Sequence, residues 1–593
     1  MHDLWRAFLL AKNQWGRRTI VGISMLVDSG SLILIPLLLK QIFDALVLHE
    51  NYTELSSKLN QTVAILFILA GLRAIAIYAQ IYFQEGTGNY IGHDIRKMLF
   101  QKLLRLPFSF FDRTKTGNLM SVLTKDVDAV RDGTGFVIML VIINILTAIG
   151  IISTMLHLHY QFAIVILSVF PILGVIAYLY SVKIKPLYDT VQRLSGDLHT
   201  VAQENISGIR VVKAFVRQTQ EQKKFSNKNN SLYQTNIKIA YISSVIHPSL
   251  DFLGGAASLL ALGVGGFYVI QGNMTLGTVV AFTIFTEFLI WPIRQVGWLA
   301  EMFQRAIAGA KRIYKVLDEE DNRVSTGAHD DHVITGAISF HNVSFSYPNG
   351  KLALSNFSLH IEPGQKVCVL GMTGSGKTTL VNLLPRYYDA TAGKITIDGI
   401  DLTDWSLEAL RNQIGFVFQD NFLFSASLAD NLTMGLKDVS LSLLQRSVEA
   451  AQAGKFIEKL PEGFNTLVGE RGIGLSGGEK QRIAIGRALL RDPKILVFDD
   501  STASLDAKTE AALKSALETL FTDRTVLIVA QRVSTAMSAD HIVVLDSGEI
   551  VEQGTHKELL AKNGIYAQLH QVQTTSANFI NPMNNDLEAT QNG

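Results

Sequence analysis

One cysteine, Cys368, is present among 593 residues, so no intrachain disulfide can staple any part of the fold, as expected for a site facing reducing cytosol. It falls in the apolar run Lys366–Leu370, where a thiol reads as a small packed core residue rather than a reactive one. Charge is scarce too: Asp, Glu, Lys and Arg make up 18% of the chain, and a net charge of +1 leaves no basic footprint for nucleic acid. A cleavable signal pattern is also missing, because Arg17-Arg18 precedes a long apolar run with no small-residue cleavage site. What is abundant is apolar. Hydrophobic residues reach 48%, mean hydropathy is +0.24, and most of the excess precedes residue 305, so the chain holds more than one domain.

Six stretches in that first half approach the ~20 residues a helix needs to cross a bilayer: roughly 19–39, 62–84, 134–156, 161–181, 246–270 and 277–299. The stretches 85–133 and 182–237 between them are long and basic, with Arg96, Lys97, Lys102, Arg105, Arg113, Lys183, Lys185, Arg210 and Lys213. The connections near 50–60, 157–160 and 271–276 are short and nearly free of Lys and Arg. With Arg6, Lys12, Arg17 and Arg18 ahead of the first span, the positive-inside rule puts both termini and both basic loops in the cytoplasm, the loops being helical extensions of the spans. Asp28, Arg73, Asp251 and Glu287 fall inside spans, where ionisable groups are costly and face the bundle interior or water. They read either as a polar cavity preferring cations or as a structural pairing of Arg73 with one of the acids. Pro171, Pro248 and Pro292 predict kinks.

In the second half, the strand-like Lys366-Val367-Cys368-Val369-Leu370 runs into Gly371-Met372-Thr373-Gly374-Ser375-Gly376-Lys377-Thr378-Thr379, and helical Leu380–Leu384 follows. Strand, glycine-rich loop, Gly-Lys-Thr and helix together form the context of a phosphate-binding loop. Backbone N–H groups and the helix N-terminus would cradle phosphates, with Lys377 on the β/γ oxygens and the Thr378 hydroxyl on Mg²⁺. The chain therefore binds a nucleotide.

Further motifs stand in order around this loop. They are Leu104–Asp112 with Thr116–Leu119, Glu204–Phe215, Tyr347, Phe416-Val417-Phe418-Gln419-Asp420, Thr466–Gly472, Leu475-Ser476-Gly477-Gly478-Glu479, Ile495–Phe498 ending in Asp499-Asp500, Ala503–Asp506 and Ala530-Gln531-Arg532. Over nearly the whole chain, to about residue 571, this series resembles the ABC exporter half-transporters. The resemblance implies six transmembrane helices (residues 1–320), a linker (321–335), a cytosolic α/β P-loop ATPase domain (336–572) and a disordered tail (573–593). It implies ATP and Mg²⁺ as cofactors. Tyr347 would stack on adenine, Gln419 would touch Mg²⁺ and the attacking water, Asp499 would hold Mg²⁺ through water, and Asp506 would belong to the D-loop. The helix opened by Ser476, Gly477, Gly478 and Glu479 would face the γ-phosphate held by a second nucleotide domain. Only one such domain is present here, so a second half-transporter is an implied partner, alongside membrane lipid and a small amphipathic substrate. The two basic loops would carry coupling helices that rest on the nucleotide domains.

Three positions depart from the family. Glu479 replaces the Gln of the signature, Asp500 replaces the Glu that polarises water, and Gln531 replaces the switch His. The last two concern hydrolysis and look like the degenerate half of heterodimeric bacterial multidrug exporters. A homodimer with two slow, equal sites is the alternative. A soluble-type ABC ATPase is disfavoured by the six spans, and an importer by the fusion of membrane and nucleotide domains.

Overall fold

The computed structural model describes residues 1–47, 52–321, 323, 327–329, 332–434, 436, 438–469, 472, 474–500, 515, 518, 521 and 523–574. The chain divides into two compact units, Met1–Arg105 with Thr116–Glu319, and Leu106–Lys115 with the residues from Glu320 onward.

Among the described residues, six helices in the first unit are long and apolar enough to span a bilayer: Trp15–Val47, Leu55–Arg105, Thr116–Leu167, Val169–Ser207, Gln218–Ile270 and Leu276–Leu317. Each overruns its apolar stretch, and the overhangs carry most of the basic segments, with Arg113, Arg210 and Lys213 on the separate short helices Phe108–Arg113 and Ile209–Ala214. The third span ends at His159, whose φ −161° and ψ 94° break the helix within the short connection expected there. Pro36, Pro186, Pro248 and Pro292 lie inside helices. Ile151, Met155 and Phe162 pack with Ala261 and with Phe282, Phe285 and Leu289 into one apolar core. Side chains such as Phe67, Ile75 and Phe252 point outward, as hydrocarbon solvent allows. At one end, the Gly277 N–H donates to Asp44 Oδ1 at 2.8 Å, and a Cβ on Gly277 would fall 2.1 Å from the Lys40 carbonyl oxygen. Glycine is required for that approach of the first and sixth helices. Near the other end, two π-helical turns, Val122–Asp126 and Gly133–Val137, fit the third helix against the sixth. Arg312 there grips buried Asp126 through Nε (2.7 Å) and Nη2 (2.6 Å).

Among its described residues the second unit has ten strands: β1 (Ile338–Ser346), β2 (Leu352–Ile361), β3 (Lys366–Leu370), β4 (Ala392–Ile397), β5 (Ile400–Asp401), β6 (Ile414–Val417), β7 (Ile495–Asp499), β8 (Thr525–Ala530), β9 (His541–Asp546) and β10 (Glu549–Gly554). They form a sheet of order β2-β1-β4-β5 and another of order β10-β9-β3-β8-β7-β6. In the second, β9, β3, β8, β7 and β6 run parallel, the arrangement whose strand ends hold ligands. β3 and β7 are buried along their whole length, which explains the apolar runs Val367–Leu370 and Ile495–Phe498 within them.

The carboxyl-terminal boundary needs correction. Gln573 and Thr574, assigned to the tail on composition, complete a helix at residues 565–574. Tyr566 and Leu569 anchor that helix on Cys368, Ala530, Val533 and Ile542. Residues 575–593 lie outside the described residues.

Candidate nucleotide site

The order β3-β8-β7 brings three strand ends together, and register does the rest. Leu370 pairs with Ala530, and Val529 pairs with Asp499, so the phosphate loop, Gln531 and Asp500 emerge side by side.

The loop closes tightly before the Lys377–Leu383 helix. Gly376 takes φ 103°, and a Cβ there would meet the Ala353 carbonyl oxygen at 2.4 Å, so only glycine serves. Lys377 is buried, and its Nζ donates to the carbonyls of Gly371 and Met372, each at 2.8 Å. Burial lowers the pKa of this lysine, while Asp500 and Asp499 pull it back up. The Thr378 hydroxyl donates to Asp499 Oδ1 at 3.0 Å. Burial is the main cause that raises the Asp499 carboxyl, the Thr378 bond working against it. A hydroxyl and a carboxylate in contact form an oxygen-only donor pair that suits Mg²⁺, which keeps waters and substrate phosphates for its other positions. Gln419 is exposed just beyond β6.

Tyr347 is half-buried, its hydroxyl 3.0 Å from Thr379 Oγ1, tying this aromatic to the helix after the loop. Its ring packs edge-on against Phe345 and Tyr388. Tyr388 also donates to Asp112 Oδ2 at 2.8 Å, and Phe108 lies 4.6 Å from the Tyr387 ring. The Phe108–Arg113 helix of the first basic loop thus belongs to this unit. Burial first, then Asp112, pushes the Tyr388 phenol well above its ordinary range. Nothing in the sequence pattern singles out Tyr387 or Tyr388.

At the signature, Ser476 caps the Gly477–Leu490 helix, and Glu479 closes a capping box. The Glu479 carboxylate accepts from the Ser476 N–H and from its hydroxyl, both at 2.8 Å. The departure at 479 is therefore compatible with a well-formed helix start. Asp506, with Glu470 and Arg471 of the Thr466–Gly472 motif, lies outside the described residues.

The two hydrolytic departures meet directly: Gln531 Nε2 donates to Asp500 Oδ2 at 3.0 Å. Asp500 adopts φ 42°, its N–H donating to the Val529 carbonyl at 3.1 Å.

Of the span residues, Arg73 Nε donates to Asp28 Oδ1 at 2.8 Å, and Arg294 pairs with Asp251 at 2.8 Å. Arg294 was not among the expected partners. Glu287 is exposed and makes no ion pair among the described residues. The four do not converge on one cluster.

Residues 19–293 match the family model for the ABC transporter transmembrane region, and residues 354–503 match that for ABC transporters. The chain is 36% identical over 565 residues to the uncharacterized ABC transporter ATP-binding protein YknU of Bacillus subtilis, covering 94% of this chain and 95% of that one. It is 35% identical over 576 residues to the ATP-dependent lipid A-core flippase of Syntrophus aciditrophicus, covering 96% and 94%. A Staphylococcus aureus protein named as a candidate multidrug export ATP-binding/permease protein is 34% identical over 559 residues, covering 93% and 96%.

Proposed function

This chain belongs to the ABC transporter family, an exporter half with membrane region and ATPase domain in one polypeptide, and on that premise we propose that it forms the hydrolysis-impaired site of a heterodimer. As such a half it is a multi-pass membrane protein with a cytoplasmic, ATP-hydrolysing domain, and it works as a dimer.

The observation that carries the proposal is the Gln531–Asp500 hydrogen bond. Asp carries its carboxylate about 1.5 Å less far than Glu, one C–C bond. Its Oδ2 is further engaged by an amide that can neither take a proton nor carry positive charge. A displacement of about 1 Å costs on the order of 10²-fold, and loss of an acid–base group about 10²–10⁴-fold, losses that need not multiply in one unit. ATP and Mg²⁺ would still bind, because Lys377, Thr378 and Asp499 keep their geometry. Bound Mg²⁺ would neutralise charge on the β- and γ-phosphates. Tyr347 would stack on adenine, and Gln419 would touch Mg²⁺ and the attacking water. The Ser476 helix start, with Gly477 and Gly478, would complete the partner's active site.

The deciding experiment is steady-state ATPase of the exporter purified through a tag on this chain. Ser476→Arg should stop turnover, and Asp500→Asn should leave most of it. In a homodimer every site carries Asp500, so an Asp500→Asn complex as inactive as Ser476→Arg would establish two slow equal sites instead.

For cargo we propose a small amphipathic compound with a cationic group. The ion pairs neutralise Asp28 and Asp251, whereas Glu287 stands one helical turn from exposed Trp291 on the sixth span. A carboxylate beside an indole suits an organic cation. Glu287→Gln should cut export of a cationic dye by about tenfold, a desolvated charge contact being worth a kcal/mol or more, and spare a neutral dye. Equal loss of both dyes would make Glu287 structural.

A further inference from the structure

We propose that Gln573, at the end of the chain's last described helix, is a positioning residue that sets the Gln531 switch. The Gln573 side chain brackets the backbone that follows the switch side chain, from the Gln531 carbonyl to Val533. Its Nε2 donates to the Gln531 carbonyl at 3.0 Å, and its Oε1 accepts from the Val533 N–H at 2.8 Å.

The second bond has a clear physical basis. Val533 opens a short helix, Val533–Ala536, and the first N–H groups of a helix lack intrahelical acceptors. The N-cap, Arg532, supplies no capping side-chain bond, and Gln573 answers for Val533 from 40 residues away. The bracket is held firmly. Tyr566 of the same helix is fully buried against the cluster that contains Ala530 and Val533, and its hydroxyl lies 2.6 Å from His556 Nδ1. Gln531 in turn donates to Asp500, so two hydrogen bonds, joined through Gln531 itself, link the carboxyl-terminal helix to the carboxylate, and the Val533 bond steadies the link. Without the bracket, residues 531–533 lose two bonds, and the Gln531 amide loses its fixed aim.

This inference rests on the reading that Gln531 stands at the γ-phosphate of this chain's own site. The test uses the full-length chain in the assembled exporter, with two readouts: hydrogen exchange of peptides spanning Val533, and retention of radiolabelled ATP by this chain after dilution. Gln573→Ala should speed exchange at Val533 by about tenfold, as the loss of one hydrogen bond predicts, with β3 unchanged. It should shorten nucleotide retention by about threefold to tenfold, and in a Gln531→Ala background it should shorten it no further. Gln573→Glu keeps the acceptor for Val533 but loses the donor, so it should fall between; if the alanine variant misfolds, this variant carries the test. Unchanged retention in Gln573→Ala, or an equal fall in the Gln531→Ala background, overturns the positioning role. If Gln531→Ala alone leaves retention unchanged, the reading of the site itself is overturned, and the role of Gln573 falls with it, whatever the exchange data show.

Discussion

At the ends of β3, β8 and β7 lie two patches of side chains: Lys377, Thr378 and Asp499 form one, Asp500 and Gln531 the other. The first three hold one another and the phosphate loop through short bonds, with Lys377 and Asp499 buried. The second pair is more exposed and bonds to itself. On the proposed reading the first patch would hold Mg²⁺ and anchor the nucleotide, and the second would answer to the γ-phosphate and its cleavage. A chain can alter the second patch while keeping the first, because the buried groups do not depend on the exposed ones for their geometry.

Three variants bear on this contrast, the largest expected effect first. Converting both altered positions, Asp500→Glu with Gln531→His, should raise turnover at this chain's own site by about 10²-fold, the scale of a restored acid–base group. Single-turnover cleavage of ATP bound to this chain measures it, and no gain would mean that the partner's signature limits the site. On the binding side, Lys377→Ala should weaken photolabelling of this chain by an ATP analogue by about 10- to 150-fold, the worth of a hydrogen bond to a charged group. Labelling that survives would break the contrast by removing the phosphate loop from the binding patch. The smallest effect belongs to Glu479→Gln. Glutamine can close the same capping box, but it takes a negative charge away from a helix start that, on the proposed reading, would face a phosphate. The KM for ATP of the assembled exporter should fall by about two- to fivefold, the range of a helix-terminus charge effect. A rise in KM instead would show that the carboxylate orders the signature more than it repels.

Much of this was legible in the sequence where the signal is local. The six spans announce themselves because hydrocarbon demands an unbroken apolar run, and the phosphate loop because its glycines and lysine are contiguous. The helical overhangs beyond each span have no such run, so their extent follows from packing. Contacts that depend on strand register were hidden. Asp500 and Gln531 could each be noted as unusual, but only the parallel pairing of β7 with β8 puts them in contact. Arg294 as the partner of Asp251, and Tyr388 as the partner of Asp112 from 276 residues away, follow from tertiary packing alone. Gln573 was lost to the tail because the polar composition after it masks the spacing of Tyr566 and Leu569.

The loop helices differ as well. Phe108–Arg113 buries Phe110 and sets Phe108 against the rings of Tyr387 and Tyr388, whereas Ile209–Ala214 buries no residue, and Val211 and Phe215 are bare. The lone thiol makes that difference observable in real time. Cys368 is fully buried, and burial pushes its pKa up to about 12, so the unmodified chain should be silent toward maleimide probes. One cysteine introduced on the Ile209–Ala214 helix would then be the single labelling site of an otherwise native protein. A fluorophore or spin label placed there would report when a second chain covers that surface, and how often it lets go.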